Sequence, residues 1–249
     1  MAAPVFRTPD ERFLGLPGFE FEPAYRQVGD LRLAHVDVGK GPPVLFIHGS
    51  PLWSFVWRKV VARLAGAGYR CIAPDHAGYG RSDKPLDPGW YSVERHVELT
   101  GSILDDLDLR DVTIVVHDWG GPIGLSLALM RPERISRIVI LDTAIDPRET
   151  WMNETWVRLR EFIRETSDVP VRELMGTVMA HEPEEDVVRA YEAPFPTPES
   201  SAAIWGMMST VPPAGDPAGA AAADRFYEAL RRDPRPMLSL WGASDPFLT

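Results

Sequence analysis

The sequence is poorest in cysteine. Cys71 is its only one among 249 residues, so no internal disulfide can form. It stands in the apolar run from Tyr69 to Pro74 and reads as a small buried hydrophobe. Positive charge is also scarce: 26 Lys and Arg face 36 Asp and Glu, for a net charge of −10. That balance excludes nucleic acid and anionic membrane as partners, since phosphate binding needs clustered cations. No apolar run approaches the roughly 20 residues that span a bilayer. The opening MAAPVFRTPDERF has no apolar signal-peptide core. A reducing, cytoplasmic setting is expected. No Gly-x-Ser-x-Gly occurs, which disfavours a serine nucleophile. The glycine-rich loop Asp75–Pro85 lacks the Gly-Lys-Ser/Thr of a phosphate cradle, so its glycines are assigned to tight turns. Asp105, Asp106, Asp108 and Asp111 have no histidine near them in sequence and read as solvated surface. No metal and no cofactor is expected.

What the sequence does have is the stretch Val112–Leu127, VTIVVHDWGGPIGLSL. Val112–Val116 is β-branched and apolar, the pattern of a strand buried on both faces. At His117-Asp118-Trp119-Gly120-Gly121 the chain turns at once into a helical run, Pro122–Met130. Strand, sharp turn and helix make a nucleophile elbow, and the small residues after the turn let the helix close on the strand. The nucleophile's place is held by Asp118. A carboxylate is ionised at pH 7 without help from a base. It leaves easily from acyl carbon but can displace a leaving group from saturated carbon, giving an alkyl ester. Trp119 offers an indole N–H to a departing anion and no lone pair to repel it. The plainer alternative makes Asp118 a helix N-cap.

Residues 1–24 are rich in Pro and Phe without period and are expected to lie as an extended surface arm. Tyr25–Val28 and Leu31–Val38 read as paired strands around Gly29-Asp30. Pro43–His48 is a buried strand that runs into His48-Gly49-Ser50-Pro51. The loop after such a strand is where the second oxyanion amide belongs, so the backbone N–H groups of Ser50 and Trp119 are its candidates, with His48 and Gly49 shaping the loop. Helices are predicted over Arg58–Ala67 and Val93–Leu107, and strands over Tyr69–Pro74 and Ile135–Leu141, the last ending at Asp142. This alternation implies a parallel sheet with right-handed crossovers. Functional side chains then gather at its carboxyl edge, where His48, Asp118 and Asp142 all fall. From about 145 to 233 buried strands give way to helical pieces: Trp156–Thr166, Val171–His181, Glu184–Glu192 and Asp224–Arg232. Trp151, Trp156, Phe162, Phe195, Trp205, Met207 and Met208 are candidates for an apolar pocket. Pro212–Ala223 reads as a surface loop. Met237–Trp241 returns as a strand leading to Asp245, a third carboxylate at the same edge.

Taken together these motifs resemble a haloalkane dehalogenase of the α/β-hydrolase superfamily. The likeness runs through Arg7–Phe13, His48–Pro51 with Trp53-Ser54, Gly80–Pro85, His117–Gly121, Ala193–Pro196 and Trp241–Asp245. It implies an α/β fold: a mostly parallel sheet with helices on both faces, formed by residues 1–144 and 234–249, with a helical cap over 145–233. It implies Asp118 as nucleophile, Trp119 as one halide donor and Trp156 as the second. Asp245 is then the charge-relay acid, with Asp142 the alternative. The substrate is a small apolar haloalkane, the co-reactant is water, and no oligomeric state follows. Three departures stand out. Ser50 replaces a Glu or Asn beside the halide. The cap's Arg-x-Phe-Pro reads Trp205-Gly-Met-Met208. The base histidine of relatives follows the acid, whereas the six histidines here (35, 48, 76, 96, 117, 181) all precede Asp245, and a last strand and helix are missing as well. A chain lacking that base is expected to trap its ester or to do nothing, because general-base help is worth about 10²–10⁴. Two other readings follow: an epoxide hydrolase, for which the only cap tyrosines are Tyr191 and Tyr227, and a non-catalytic remnant of the fold.

Overall fold

The computed structural model describes residues 4–144, 154–166, 169–211 and 217–245. Among these, a short strand β1 (Val5–Phe6) opens the chain. A hairpin follows, β2 (Ala24–Val28) and β3 (Leu31–Val38). Then come β4 (Pro43–Ile47), α1 (Arg58–Gly66), β5 (Arg70–Pro74) and β6 (Lys84–Pro85). The elbow lies among α2 (Val93–Asp106), β7 (Val112–His117), α3 (Gly120–Met130) and β8 (Ile135–Leu141).

The order across the main sheet is β2-β3-β5-β4-β7-β8, with β9 (Met237–Leu240) beside β8. β2 and β3 are antiparallel to their neighbours, and β5, β4, β7, β8 and β9 are parallel to one another. β4 and β7 lie at the centre, and their apolar runs explain why: Val44–Ile47 and Ile114–Val116 are buried on both faces. The chain passes from β4 to β5 on one side and then crosses back to β7 on the other, so the carboxyl ends of β4 and β7 flank the crevice where such sheets hold their sites.

Between β8 and β9 run α4 (Glu154–Glu165), α5 (Val171–Val178), α6 (Glu185–Glu192), α7 (Ala202–Ser209) and α8 (Pro217–Arg231). The amino-terminal arm ties this helical segment to the sheet. Thr8 Oγ1 donates to the Pro194 carbonyl at 2.8 Å, and Arg12 Nε to the Ala193 carbonyl at 2.9 Å. Trp53 Nε1 adds a buried bond to the Ala190 carbonyl at 3.0 Å.

The structure corrects several expectations. The arm is not a surface strap, because Phe13, Leu16 and Phe19 are buried and Phe13 and Phe19 meet Trp53 edge to face. Burial of three large apolar side chains outweighs the lack of period there. The loop expected over Pro212–Ala223 is overturned from Pro217, where α8 begins. Proline is preorganised for a first helical turn and the Ala run that follows has the highest helix propensity. Residues 212–216 lie outside the described residues. α5 stops at Val178 rather than His181. Phe162, a pocket candidate, is 47% exposed on α4. Trp151 lies outside the described residues. Among the described residues no helix is long and apolar enough to cross a membrane. β9 is exposed along its length, with Leu238 at 52% and Leu240 at 49%.

Candidate active site

The elbow forms as the sequence dictates. Asp118 adopts φ +53, a conformation non-glycine residues avoid at a cost of about 1–3 kcal/mol. The turn is held through its carbonyl, which accepts from the Gly121 N–H at 2.8 Å and the Thr143 hydroxyl at 2.6 Å. Its N–H donates to the Asp142 carbonyl at 2.9 Å. Small residues make room. A Cβ on Gly120 would collide with the Ile47 carbonyl, and one on Gly121 with Thr143. One on Gly124 would meet Val116 Cγ1 at 2.5 Å, so α3 packs directly on β7.

The strained turn aims Asp118 at the loop after β4. Ser50 N–H donates to Asp118 Oδ1 at 2.8 Å, across 68 residues of sequence, and the Trp119 N–H also bonds the carboxylate. The two amides expected to form an oxyanion hole are thus both directed at the Asp118 carboxylate. Gly49 is required here for close approach, because a Cβ would drive into that carboxylate.

Asp118 as a whole residue is only half-buried, yet its carboxyl is enclosed. Desolvation therefore pushes its pKa above the ordinary carboxylate value, and the charge of Asp245 pushes the same way. His117 and the two amides oppose the rise.

The other two carboxylates divide. Asp142 ends β8 with φ +27, and its Oδ1 accepts from Gly242 N–H at 2.7 Å. Its side chain thereby pins the turn after β9. Asp245 sits in that turn, its N–H on the Gly242 carbonyl at 3.1 Å. The charge of Asp245 reaches Asp118 and raises its pKa.

His48 does shape its loop. Its Nδ1 faces the Gly49 carbonyl at 2.7 Å and its Nε2 accepts from the His76 N–H at 3.0 Å, which fixes the Nδ1–H tautomer. Complete burial depresses its pKa to about 3. His76 packs against it at a tilt and His96 meets His76 edge to face; both have pKa values pushed down by burial.

Next to the elbow, Gly49, Ser50, His76, Tyr79, Trp119 and Met207, among others, line a closely packed crevice too tight for a water molecule. Trp119 is there as expected, and its indole N–H has no partner among the described residues. Trp156 is not part of that lining. It is buried within α4, with the Arg160 guanidinium over its ring at 5.6 Å. Of the remaining pocket candidates, Met207 joins the lining.

Sequence reasoning passed over Tyr79. The signal was its place between Gly78 (φ +89) and Gly80 (φ +48), two turns that swing the ring inward. Asp75 fastens that loop, accepting from Ser54 N–H at 2.8 Å and Arg81 N–H at 2.9 Å. The Gly-rich loop is thus a set of tight turns packed on a buried carboxylate.

Comparison with known proteins agrees with this geometry. The alpha/beta hydrolase fold family matches residues 42–249. A haloalkane dehalogenase of Mycolicibacterium paratuberculosis is 34% identical over 98% of this chain and 83% of its own length. Haloalkane dehalogenase 1 of Mycobacterium tuberculosis is 38% identical over 98% of this chain and 84% of its own. Among solved structures, the tetrameric haloalkane dehalogenase DpaA from Paraglaciecola agarilytica superposes with a TM-score of 0.89 at 30% identity, covering 98% of this chain and 84% of that one. With an aspartate at the elbow and relatives of this similarity along nearly its whole length, the chain belongs to the haloalkane dehalogenase family of α/β-hydrolases.

Proposed function

We propose that this protein cleaves the carbon–halogen bond of small haloalkanes through an alkyl ester on Asp118. The observation that carries the reading is the Asp118 carboxylate itself. It is held by two backbone amides at a strained turn, beside an indole N–H and an apolar wall. Asp118 Oδ attacks the carbon bearing halogen, the carbon–halogen bond breaks, and the halide leaves with the bonding pair. Trp119 Nε1–H and the Ser50 hydroxyl are the donors we assign to that halide, Ser50 in place of the expected Trp156. Hydrogen bonds to an anion in an enclosed site are worth more than in water.

Hydrolysis of the ester needs water and a base. His48, His76 and His96 are held neutral by burial and face backbone groups, so none is suited to that role. With these three excluded, a persistent ester on Asp118 is the outcome we expect to observe. Asp245 is the acid best placed to orient a base, and Asp142 acts by fixing the turn that carries Asp245. Residues 1–144 and 234–249 serve as the sheet core and the intervening helices as the cap. Epoxide opening is less favoured, because Tyr191 is 3% exposed and packs edge to face on Phe55.

Intact-mass spectrometry after incubation with 1,2-dibromoethane tests the reading. A persistent added mass that is absent from Asp118→Asn supports it. Folded protein that gains no mass and releases no bromide leaves the non-catalytic reading. Many turnovers of bromide release would keep Asp118 and overturn the stalled step.

A further inference from the structure

Tyr79 has no part in the chemistry described so far, yet it reaches the halide side of the site. Its hydroxyl lies 3.0 Å from Ser50 Oγ, across 29 residues of sequence. It is 2% exposed, and its ring is fixed from two directions: His48 lies 5.5 Å away on the sheet side and Phe195 6.3 Å away on the helical side, both edge to face. A phenol held in this way has little freedom to turn elsewhere.

Two hydroxyls in contact share one proton between them and leave the other free. In this pair the phenol is oriented as the donor and the serine oxygen as the acceptor. Tyr79 therefore donates to Ser50 Oγ. The Ser50 proton, with no acceptor among the described residues, is left for the tight crevice that Ser50 and Trp119 both line, which must loosen to admit a halide. The Ser50 backbone is fixed too, through its N–H on Asp118 Oδ1. A serine side chain alone is a poor halide donor, since its hydroxyl rotates and can point either way. Accepting from a rigid partner removes that freedom and polarises the remaining O–H, because chained hydrogen bonds strengthen one another.

Resting on the function proposed above, we propose that Tyr79 is a positioning residue that turns Ser50 into the second halide donor. The phenol touches neither carbon nor halide. It orders the Ser50 hydroxyl before the halide arrives, so the cost of orientation is met in advance. No proton is transferred: the halide leaves as an anion and accepts hydrogen bonds from Ser50 and Trp119.

Bromide itself is the probe. Sodium bromide is titrated into the full chain and binding is followed by tryptophan fluorescence and by calorimetry. The alkylation rate with 1,2-dibromoethane is measured in parallel by mass. Tyr79→Phe keeps the ring and its packing and removes one oxygen. The expected result is bromide binding weaker by about three- to tenfold, with alkylation slowed to a similar extent. Ser50→Ala weakens binding comparably, and Tyr79→Phe adds nothing in its background, since both act through one hydroxyl. Ser50→Asn restores binding in Tyr79→Phe, because an amide brings its own donors. Unchanged bromide binding in Tyr79→Phe overturns the inference, and so do independent, additive losses from the two changes. In either case a wild-type adduct on Asp118 leaves the proposed function standing. A wild-type protein that neither binds bromide nor gains mass overturns both.

Discussion

β7 and β8 are adjacent parallel strands that end alike and do different work. Each finishes an apolar run with an aspartate at positive φ, +53 at Asp118 and +27 at Asp142. After Asp118 come Trp, Gly and Gly, so a helix starts at once and its small residues let the loop after β4 close in. The carboxylate is thereby enclosed and raised in pKa. After Asp142 the chain leaves the sheet, and the carboxylate reaches sideways to the Gly242 amide. One strand end holds its carboxylate enclosed against the loop after β4, and the other commits its carboxylate to a neighbouring turn. The two residues are of one type, and what separates them is how closely the neighbouring backbone can approach.

That contrast can be broken outright. Asp118→Ala should abolish alkylation by 1,2-dibromoethane, a loss of at least about 10⁴-fold of the kind seen when a covalent nucleophile is removed. Asp142→Ala should keep the adduct, slowed by less than about tenfold if one surface-facing hydrogen bond is its share. Equal losses in both variants would mean that the strand ends are not divided in this way.

The next largest effect is expected at Gly49. A methyl group there would occupy space that Asp118 Oδ1 and Cβ now fill. Displacing the nucleophile by about 1 Å costs roughly 10² in rate. Gly49→Ala should therefore alkylate about a hundredfold more slowly while keeping its circular-dichroism spectrum.

Stability should move in opposite directions at the two ends. Asp142→Ala loses a carboxylate–amide bond, and a Tm lower by about 2–4 °C is expected for a chain of this length. Asp118→Asn removes the cost of an enclosed charge and should raise Tm by a similar 2–4 °C, the common trade between stability and a working site.

The smallest effect, and the sharpest in sign, is its dependence on pH. The folded pKa of Asp118 lies above the unfolded value near 3.8, so the fold favours the protonated form. The stability this gives is complete below the unfolded pKa and is lost as pH rises through the raised folded one. The advantage of Asp118→Asn should hence shrink as pH is lowered from 7 toward 4, by scanning calorimetry at each pH. Alkylation by the wild type should fall over the same window as the nucleophile protonates.

Much of this was legible in one dimension. The apolar runs of β4, β7 and β8 announce strands buried on both faces, and Asp-Trp-Gly-Gly announces a turn that only a tight strand–helix junction needs. Those are local patterns, and local sterics enforce them. The arm's burial is not legible in this way, because it comes from Trp53, a residue farther along the chain that no period in residues 1–24 reveals. Phe162 was misjudged because helical spacing gives a face without saying whether anything covers it.

The sequence by itself determined the strand–turn–helix elbow, that a carboxylate stands at its tip, and the chemistry such a carboxylate favours. Backbone sterics and side-chain acidity act within a few bonds and leave their mark residue by residue. Only the tertiary structure decided which of three carboxylates is enclosed, and that Asp142 clamps a turn. It also decided that the Tyr79 hydroxyl meets Ser50 Oγ. Those outcomes depend on contacts across 29, 68 and 100 residues. Contacts at that range are set by how the sheet closes on its loops.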